Sequence, residues 1–125
     1  MKEIYRLNNS YLPRVYDKQG ALIYVIPVDA SVVSVTEEFT ISEQDFDILK
    51  TNEYRFRILN FILYTNIQKT FGPGHPNPRK YTQEEFDICK NICLYHDNIK
   101  LEEYVENFLI EHNLSNTFLD LFLKN

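Results

Sequence analysis

The stretch Glu37-Glu38-Phe39-Thr40-Ile41-Ser42-Glu43-Gln44-Asp45-Phe46-Asp47-Ile48-Leu49 divides the chain into two kinds of structure. Glu38 to Ile41 carries the β-branched and aromatic residues of a short strand. Ser42 is a good helix N-cap, because its hydroxyl can accept from the unpaired amides of a first turn. Glu43 and Asp45 follow in that turn, where negative charge complements the helix dipole, and Phe46 and Leu49 face inward. Residues 1–41 are therefore expected to be mainly strands and residues 42–125 mainly helices.

Upstream of Ser42, short β-branched and aromatic runs alternate with turn signals. Tyr11 to Tyr16 and Ala21 to Val28 read as two strands of a hairpin closed by Asp17-Lys18-Gln19-Gly20. Ile4 to Leu7 and Val32 to Val35 read as further strands. Pro13 and Pro27 have no amide proton for a ladder and should sit at an edge or a strand end. Downstream, Thr51 or Asn52 restarts the chain into a long helix to about Lys69, apolar around most of its circumference and hence central and buried. Arg57, Asn60, Tyr64 and Gln68 form its one polar stripe.

Residues 71–81 hold three prolines and two glycines and should form an irregular loop. Thr82 with Glu85 is a capping box that starts a third helix, with Phe86, Cys89, Ile92 and Cys93 on its buried side. A fourth helix is expected from about Lys100 to His112, with Leu101, Tyr104, Val105, Phe108 and Leu109 facing inward. Ser115 should cap a short last helix. The predicted fold is α+β in one domain, 1–125: a small, mostly antiparallel sheet, then four or five helices. The predicted core is Ile26, Val33, Phe46, Leu49, Ile58, Phe61, Ile62, Phe86, Ile92, Tyr104, Val105, Phe108 and Phe122.

At 125 residues the chain can bury roughly two-thirds of its unfolded surface, so it needs no disulfide or metal to fold. Met1-Lys2-Glu3-Ile4-Tyr5-Arg6 places charge where a secretory segment would be apolar. The longest apolar run, Ile58 to Tyr64, is too short to span a membrane. Cys89 and Cys93, four apart on a helix, rarely satisfy disulfide geometry. Free thiols without an export signal point to the cytoplasm.

No GxSxG, HExxH, CxxC or GK[ST] motif occurs, and an enzyme is not expected. Cys89, Cys93 and His96 share a helical face, and zinc would need His75 or His112 to complete a tetrahedron. Core packing explains the two cysteines better, since thiols are among the most buried groups. His75, near Arg79 and Lys80, has no paired acid or second histidine in its sequence context for acid–base work. No metal or other cofactor is expected.

Charge is the more informative feature. Up to Lys50 there are five basic and eight acidic residues; from Thr51 to Tyr81, five basic residues stand against Glu53; from Thr82 on, three stand against nine. The basic middle (Arg55, Arg57, Lys69, Arg79, Lys80) is the basis of an alternative reading as a small nucleic-acid-binding or regulatory protein. Five cations in a chain of net charge −5 make a weak footprint for that partner. Glu102, Glu103 and Glu106 fall opposite the apolar stripe of the fourth helix, with Glu111 beyond, and Glu84, Glu85 and Asp87 open the third. Such runs are often only solvated faces, but here lysines at i+4 are missing and Lys100 is the single cation near Glu102 to Glu111. These carboxylates, with Tyr95 as an apolar anchor, are the expected contact surface for a cationic protein. Glu37, Glu38, Glu43 and Asp47 form the alternative surface. Neither membrane nor direct nucleic-acid binding is expected, and a monomer is expected rather than an oligomer.

The order of a short N-terminal sheet followed by a helical half, with the strand-into-helix segment Glu37 to Leu49, resembles small cytoplasmic immunity proteins of bacterial toxin–immunity systems. Contact-dependent growth inhibition and related polymorphic toxins are the systems concerned. The resemblance implies a protein that binds and blocks a cognate toxin domain, often a basic nuclease, inside the producing cell.

Overall fold

Four strands, β1 (Lys2–Arg6), β2 (Arg14–Lys18), β3 (Ala21–Ala30) and β4 (Val33–Ile41), form an antiparallel sheet in the order β1-β2-β3-β4. Five helices follow: α1 (Glu43–Thr51), α2 (Glu53–Phe71), α3 (Gln83–Tyr95), α4 (Asn98–Glu111) and α5 (Asn116–Leu123). The structure, a computed structural model, describes residues 1–7, 12–30, 33–71 and 79–124, the side chains of Ala30 and Val33 excepted. Tyr11, Val32, His75 and the Val33 side chain therefore lie outside the described residues. The α+β expectation holds. No helix among the described residues is long and apolar enough to cross a membrane.

The hairpin between β2 and β3 closes through Gln19 and Gly20, with φ of 55° and 90°. Positive φ at both central residues matches the right-handed twist of the flanking strands. The Gly20 N–H donates to Asp17 Oδ1 at 2.8 Å. Val32–Val35 and Glu38–Ile41, expected as separate strands, belong to one strand: Thr36 and Glu37 pair with Pro27 and Ile26 and carry β4 through without a break. Pro27 lies inside a central strand, which would ordinarily cost a ladder bond. Here β2 has already ended, its last pair being Arg14 with Val25, so no strand beside Pro27 needs its amide.

Side chains occupy one position on each free edge of the β3–β4 ladder. The Gln83 carboxamide donates to the Thr40 carbonyl at 3.0 Å and accepts from the Thr40 N–H at 2.9 Å, on the outer edge of β4. Where β3 outruns β2, the Asp29 N–H donates to the Tyr64 hydroxyl at 3.2 Å, and Gln68 Nε2 donates to the Asp29 carbonyl at 2.8 Å.

Helix boundaries follow local capping. Ser42 and Asp45 form a reciprocal capping box at α1, and Thr82 and Glu85 form another at α3. Asn52 Oδ1 accepts from the Arg55 N–H and starts α2. Asp97 caps α4 through the Lys100 N–H at 2.9 Å, two residues ahead of the expected start. Ser115 caps α5.

From Arg55 to Leu63 every residue of α2 is buried. The helix is walled on one side by the sheet through Phe56, which stands 5.9 Å from Tyr24 and 6.0 Å from Tyr5. Phe86 of α3 lies 5.4 Å from Tyr24 and stacks on Phe39 at 4.4 Å. On another side Phe61 meets Phe108 of α4 and Phe122 of α5 at 5.5 and 5.2 Å. Of the predicted core, Ile26, Leu49, Ile58, Phe61, Ile62, Phe86, Val105 and Phe108 are buried, while Phe46, Ile92, Tyr104 and Phe122 are half-buried. Tyr24, Phe39, Phe56 and Leu94 are buried as well.

The Tyr24 hydroxyl is fully buried with no hydrogen-bond partner among the described residues. Burial pushes its pKa well above the ordinary value. An unpaired buried hydroxyl costs desolvation free energy and returns nothing. Tyr24→Phe should therefore raise stability by about 1 kcal/mol in urea denaturation; a loss of stability would mean that the hydroxyl is satisfied.

Candidate functional site: the outward faces of α3 and α4

Helix α4 buries Leu101, Val105, Phe108 and Leu109. The 3.6-residue period then turns Ile99, Glu103, Glu106 and Ile110 outward along one line, at steps of four, three and four. Ile99 is 72% exposed and Ile110 76%, at the two ends of that line. Glu102 and Glu111 are exposed beside it. None of Glu102, Glu103, Glu106 or Glu111 makes a hydrogen bond or ion pair among the described residues. Tyr54, half-exposed at the start of α2, has its pKa raised by partial burial and then by the charge of Glu102.

The corner from which α4 departs is set by Arg55. Its guanidinium is buried and donates to the Cys93 carbonyl at 2.8 Å, the His96 carbonyl at 2.7 Å and Asn98 Oδ1 at 3.1 Å. One cation thus satisfies the carbonyl end of α3 and holds the first residue of α4.

Helix α3 presents a second outward line, Glu84, Ile88, Asn91 and Tyr95, at the same steps. Glu84 is exposed with no ion pair among the described residues. Glu85 is engaged: Arg79 grips it with two bonds of 2.6 and 2.8 Å, and it accepts from the Thr82 N–H. The Arg79 contact, set against partial desolvation and joined by Thr82, holds its carboxyl down to about 2. Asp87 accepts from Gln83 and lies 3.8 Å from Lys90. Tyr95 is 41% exposed, but its hydroxyl donates to Asp45 Oδ1 at 2.5 Å, which ties it to α1. Partial burial, then the Asp45 carboxylate, pushes the phenol up to about 12.

The alternative surface is divided. Glu38 and Glu43 are exposed, and Asp47 lies 3.5 Å from Lys50. Glu37 is buried, because alternation along β4 places it on the face that carries Phe39 and Ile41. Asp45 of the same segment is also buried and accepts from the Ser42 N–H, Lys90 and Tyr95. Burial alone would raise its pKa, but those three donors hold it below the ordinary value.

The basic residues do not gather on one face. Arg55 and Arg57 are buried, Arg57 donating to the Phe122 carbonyl, and Arg79 is held by Glu85; Lys69 and Lys80 are exposed. Arg57 also lies 3.6 Å from the Glu53 carboxylate one turn earlier, whereas Arg55 is satisfied by two carbonyls and an amide oxygen. Cys89 and Cys93 are buried thiols, Cys89 lying 3.3 Å from the Tyr81 hydroxyl, and burial raises the pKa of both. His96, at the C-terminus of α3, is exposed. His112 packs on Phe108 at 4.1 Å. No cluster of three His, Cys, Asp or Glu suited to a metal occurs among the described residues.

Ile99 and Ile110 were not assigned from the sequence, although the period that places Glu103 and Glu106 outward places them on the same line. No protein-family model, curated protein or solved structure matches the chain.

Glu37 gives a pH prediction. Burial raises its pKa from the ordinary 4.5, opposed by Lys80. The folded state therefore keeps the Glu37 proton after the unfolded state has released it. Stability falls as pH rises from 4.5 through the folded pKa, and the loss persists above it. Glu37→Gln should raise the melting temperature at pH 7, and the advantage should close below the unfolded pKa. A variant less stable than wild type at pH 7 would contradict this.

Proposed function

We propose that the chain is an immunity protein that binds a cognate toxin domain in the cytoplasm and neutralises it, with a cationic surface of the toxin seated on the outward face of α4. The observation that carries this reading is the line Ile99, Glu103, Glu106, Ile110: carboxylates without a hydrogen-bond or ion-pair partner among the described residues, bracketed by two exposed isoleucines. A helix face built only for solubility would pair those carboxylates with lysines and would not carry isoleucine at both ends. Negative potential steers an approaching cationic surface, and apolar side chains hold it once water is excluded.

Glu102, Glu103, Glu106 and Glu111 are the steering residues in this reading, and Ile99 and Ile110 join Tyr95 as anchors. Glu84 extends the surface, whereas Glu85 and Asp87 contribute field rather than direct contact because Arg79, Gln83 and Lys90 occupy them. The nucleic-acid alternative loses support from the burial of Arg55 and Arg57 and from the grip of Glu85 on Arg79. The dispersal of the Glu37, Glu38, Glu43 and Asp47 group likewise favours α4.

Two variants separate steering from anchoring. With Glu102, Glu103 and Glu106 all changed to Lys, folding should be intact and association with the cognate toxin domain, sought as the product of an adjacent gene, slowed by about 10- to 1000-fold at low salt. Protection of toxin-expressing cells should be lost. The double variant Ile99→Ser, Ile110→Ser should keep the association rate and raise the dissociation rate. Normal protection and normal kinetics in both variants would remove α4 from the interface. Failure of the adjacent gene product to bind the wild-type chain would remove the immunity reading itself.

A further inference from the structure

The polar stripe of α2 is not fully used by the fold. Asn60 is 3% exposed, in the middle of a buried helix, and its carboxamide makes no hydrogen bond among the described residues. An amide in that position costs free energy unless something bonds to it. Asn60 lines a cleft of about 380 Å³ between β3, α2 and α5, whose walls include Pro27, Tyr64, Gln68, Phe118 and Phe122.

The reason for the vacancy lies in β3. One turn further along α2, Tyr64 and Gln68 bond to the N–H and carbonyl of Asp29. Alternation along the strand turns the backbone of Pro27, two residues earlier, to the same side. Proline has no N–H to give, so the bond made at Tyr64 has no counterpart beside Asn60; the Pro27 carbonyl remains, but no bond from Asn60 to it is made among the described residues. The cleft thus presents a carboxamide with donor and acceptor side by side. Close to it is the Tyr64 hydroxyl, whose oxygen accepts from Asp29 and whose proton is left to donate.

The walls set the rest of the ligand. Tyr64, Phe118 and Phe122 form an aromatic group, with Phe122 at 5.5 Å from Tyr64 and 5.4 Å from Phe118, that suits a flat ring. The described lining holds Asp29 and no Lys or Arg, which disfavours phosphates and carboxylates. We infer that the β3–α2–α5 cleft binds a small neutral aromatic amide, open-chain or lactam, whose amide edge pairs with the carboxamide of Asn60. This site uses none of the residues of the α4 surface and stands independently of the immunity reading.

The test uses the full chain and four probes in ligand titrations followed by two-dimensional NMR. Benzamide carries an open-chain amide and 2-pyridone a lactam; acetophenone keeps the shape with an acceptor only, and benzoate adds charge. One of the two amides should bind with a Kd on the order of 1 mM, as expected for a fragment-sized ligand, and the tighter of the two identifies the amide type. Acetophenone and benzoate should bind at least about tenfold more weakly, and the shifts should centre on the Asn60 side-chain amide and on Phe118 and Phe122. Asn60→Leu should abolish this preference while leaving the melting temperature unchanged or higher, because it removes a largely buried amide that has no partner among the described residues. Equal binding of acetophenone, shifts centred elsewhere, or no saturable binding of either amide would overturn the inference. So would a marked loss of stability in Asn60→Leu, which would mean that the fold itself uses the amide.

Discussion

A helix buried around its whole circumference imposes two requirements: something must wall it on every side, and each polar group it carries is costly unless it finds a partner. Helix α2 imposes both. The sheet, α4 and α5 supply walls through Tyr24, Phe108 and Phe122 in particular, and α3 packs alongside with Phe86 against Tyr24. The polar groups determine how the walls are joined. Arg55 fixes the α3–α4 corner, Arg57 reaches the last turn of α5, and Tyr64 and Gln68 close the exposed half of β3. The direction in which α4 faces solvent therefore depends on a guanidinium two helices away. Truncating Arg55 would leave carbonyls unpaired at the base of the proposed interface, so its effects there would be indirect.

The carboxylates fall into two groups with different physics. Asp45 and Glu85 are surrounded by donors, have depressed pKa values and hold α1 and α3 in place. Ser42, Lys90 and Tyr95 around Asp45 include residue types that also serve in catalysis, but here the carboxylate accepts from all of its neighbours and none of them lines a described pocket. Glu102, Glu103 and Glu106 are the opposite case, exposed and without a hydrogen bond or ion pair among the described residues. Groups of the first kind resist a partner because the fold already uses them. Groups of the second kind can be desolvated by a partner without loss to the fold.

What the sequence revealed was what depends on neighbours a few residues away. Ser42, Thr82 and Ser115 cap helices because capping is decided within one turn, and the hairpin at Gln19-Gly20 is equally local. Asp97 caps α4 by the same local rule, two residues ahead of the start expected at Lys100. The burial of Asp45 and the targets of Arg55 depend on residues about forty to fifty positions away, and no periodicity encodes them. The burial of Glu37 depends on a range between these two, the continuity of β4 through Thr36 and Glu37. Splitting β4 in two hid the alternation that turns Glu37 inward. At the candidate site, the outward direction of Glu102, Glu103 and Glu106 was legible from the period, whereas the occupation of Glu85, Asp87 and Tyr95 by Arg79, Lys90 and Asp45 required tertiary structure.

Gln83 has a consequence beyond the geometry of one helix. An uncovered strand edge is a template on which another chain can add, and the outer edge of β4 is long and carries Val33, Val35, Phe39 and Ile41. By donating to and accepting from Thr40, the Gln83 carboxamide occupies a position that an incoming strand would need. It does so from the first residue of α3, so the edge is blocked only once that helix has docked. The chain is thus most open to intermolecular sheet growth in the interval between hairpin formation and helix docking. Solubility during synthesis depends on the speed of that step as much as on the stability of the finished fold.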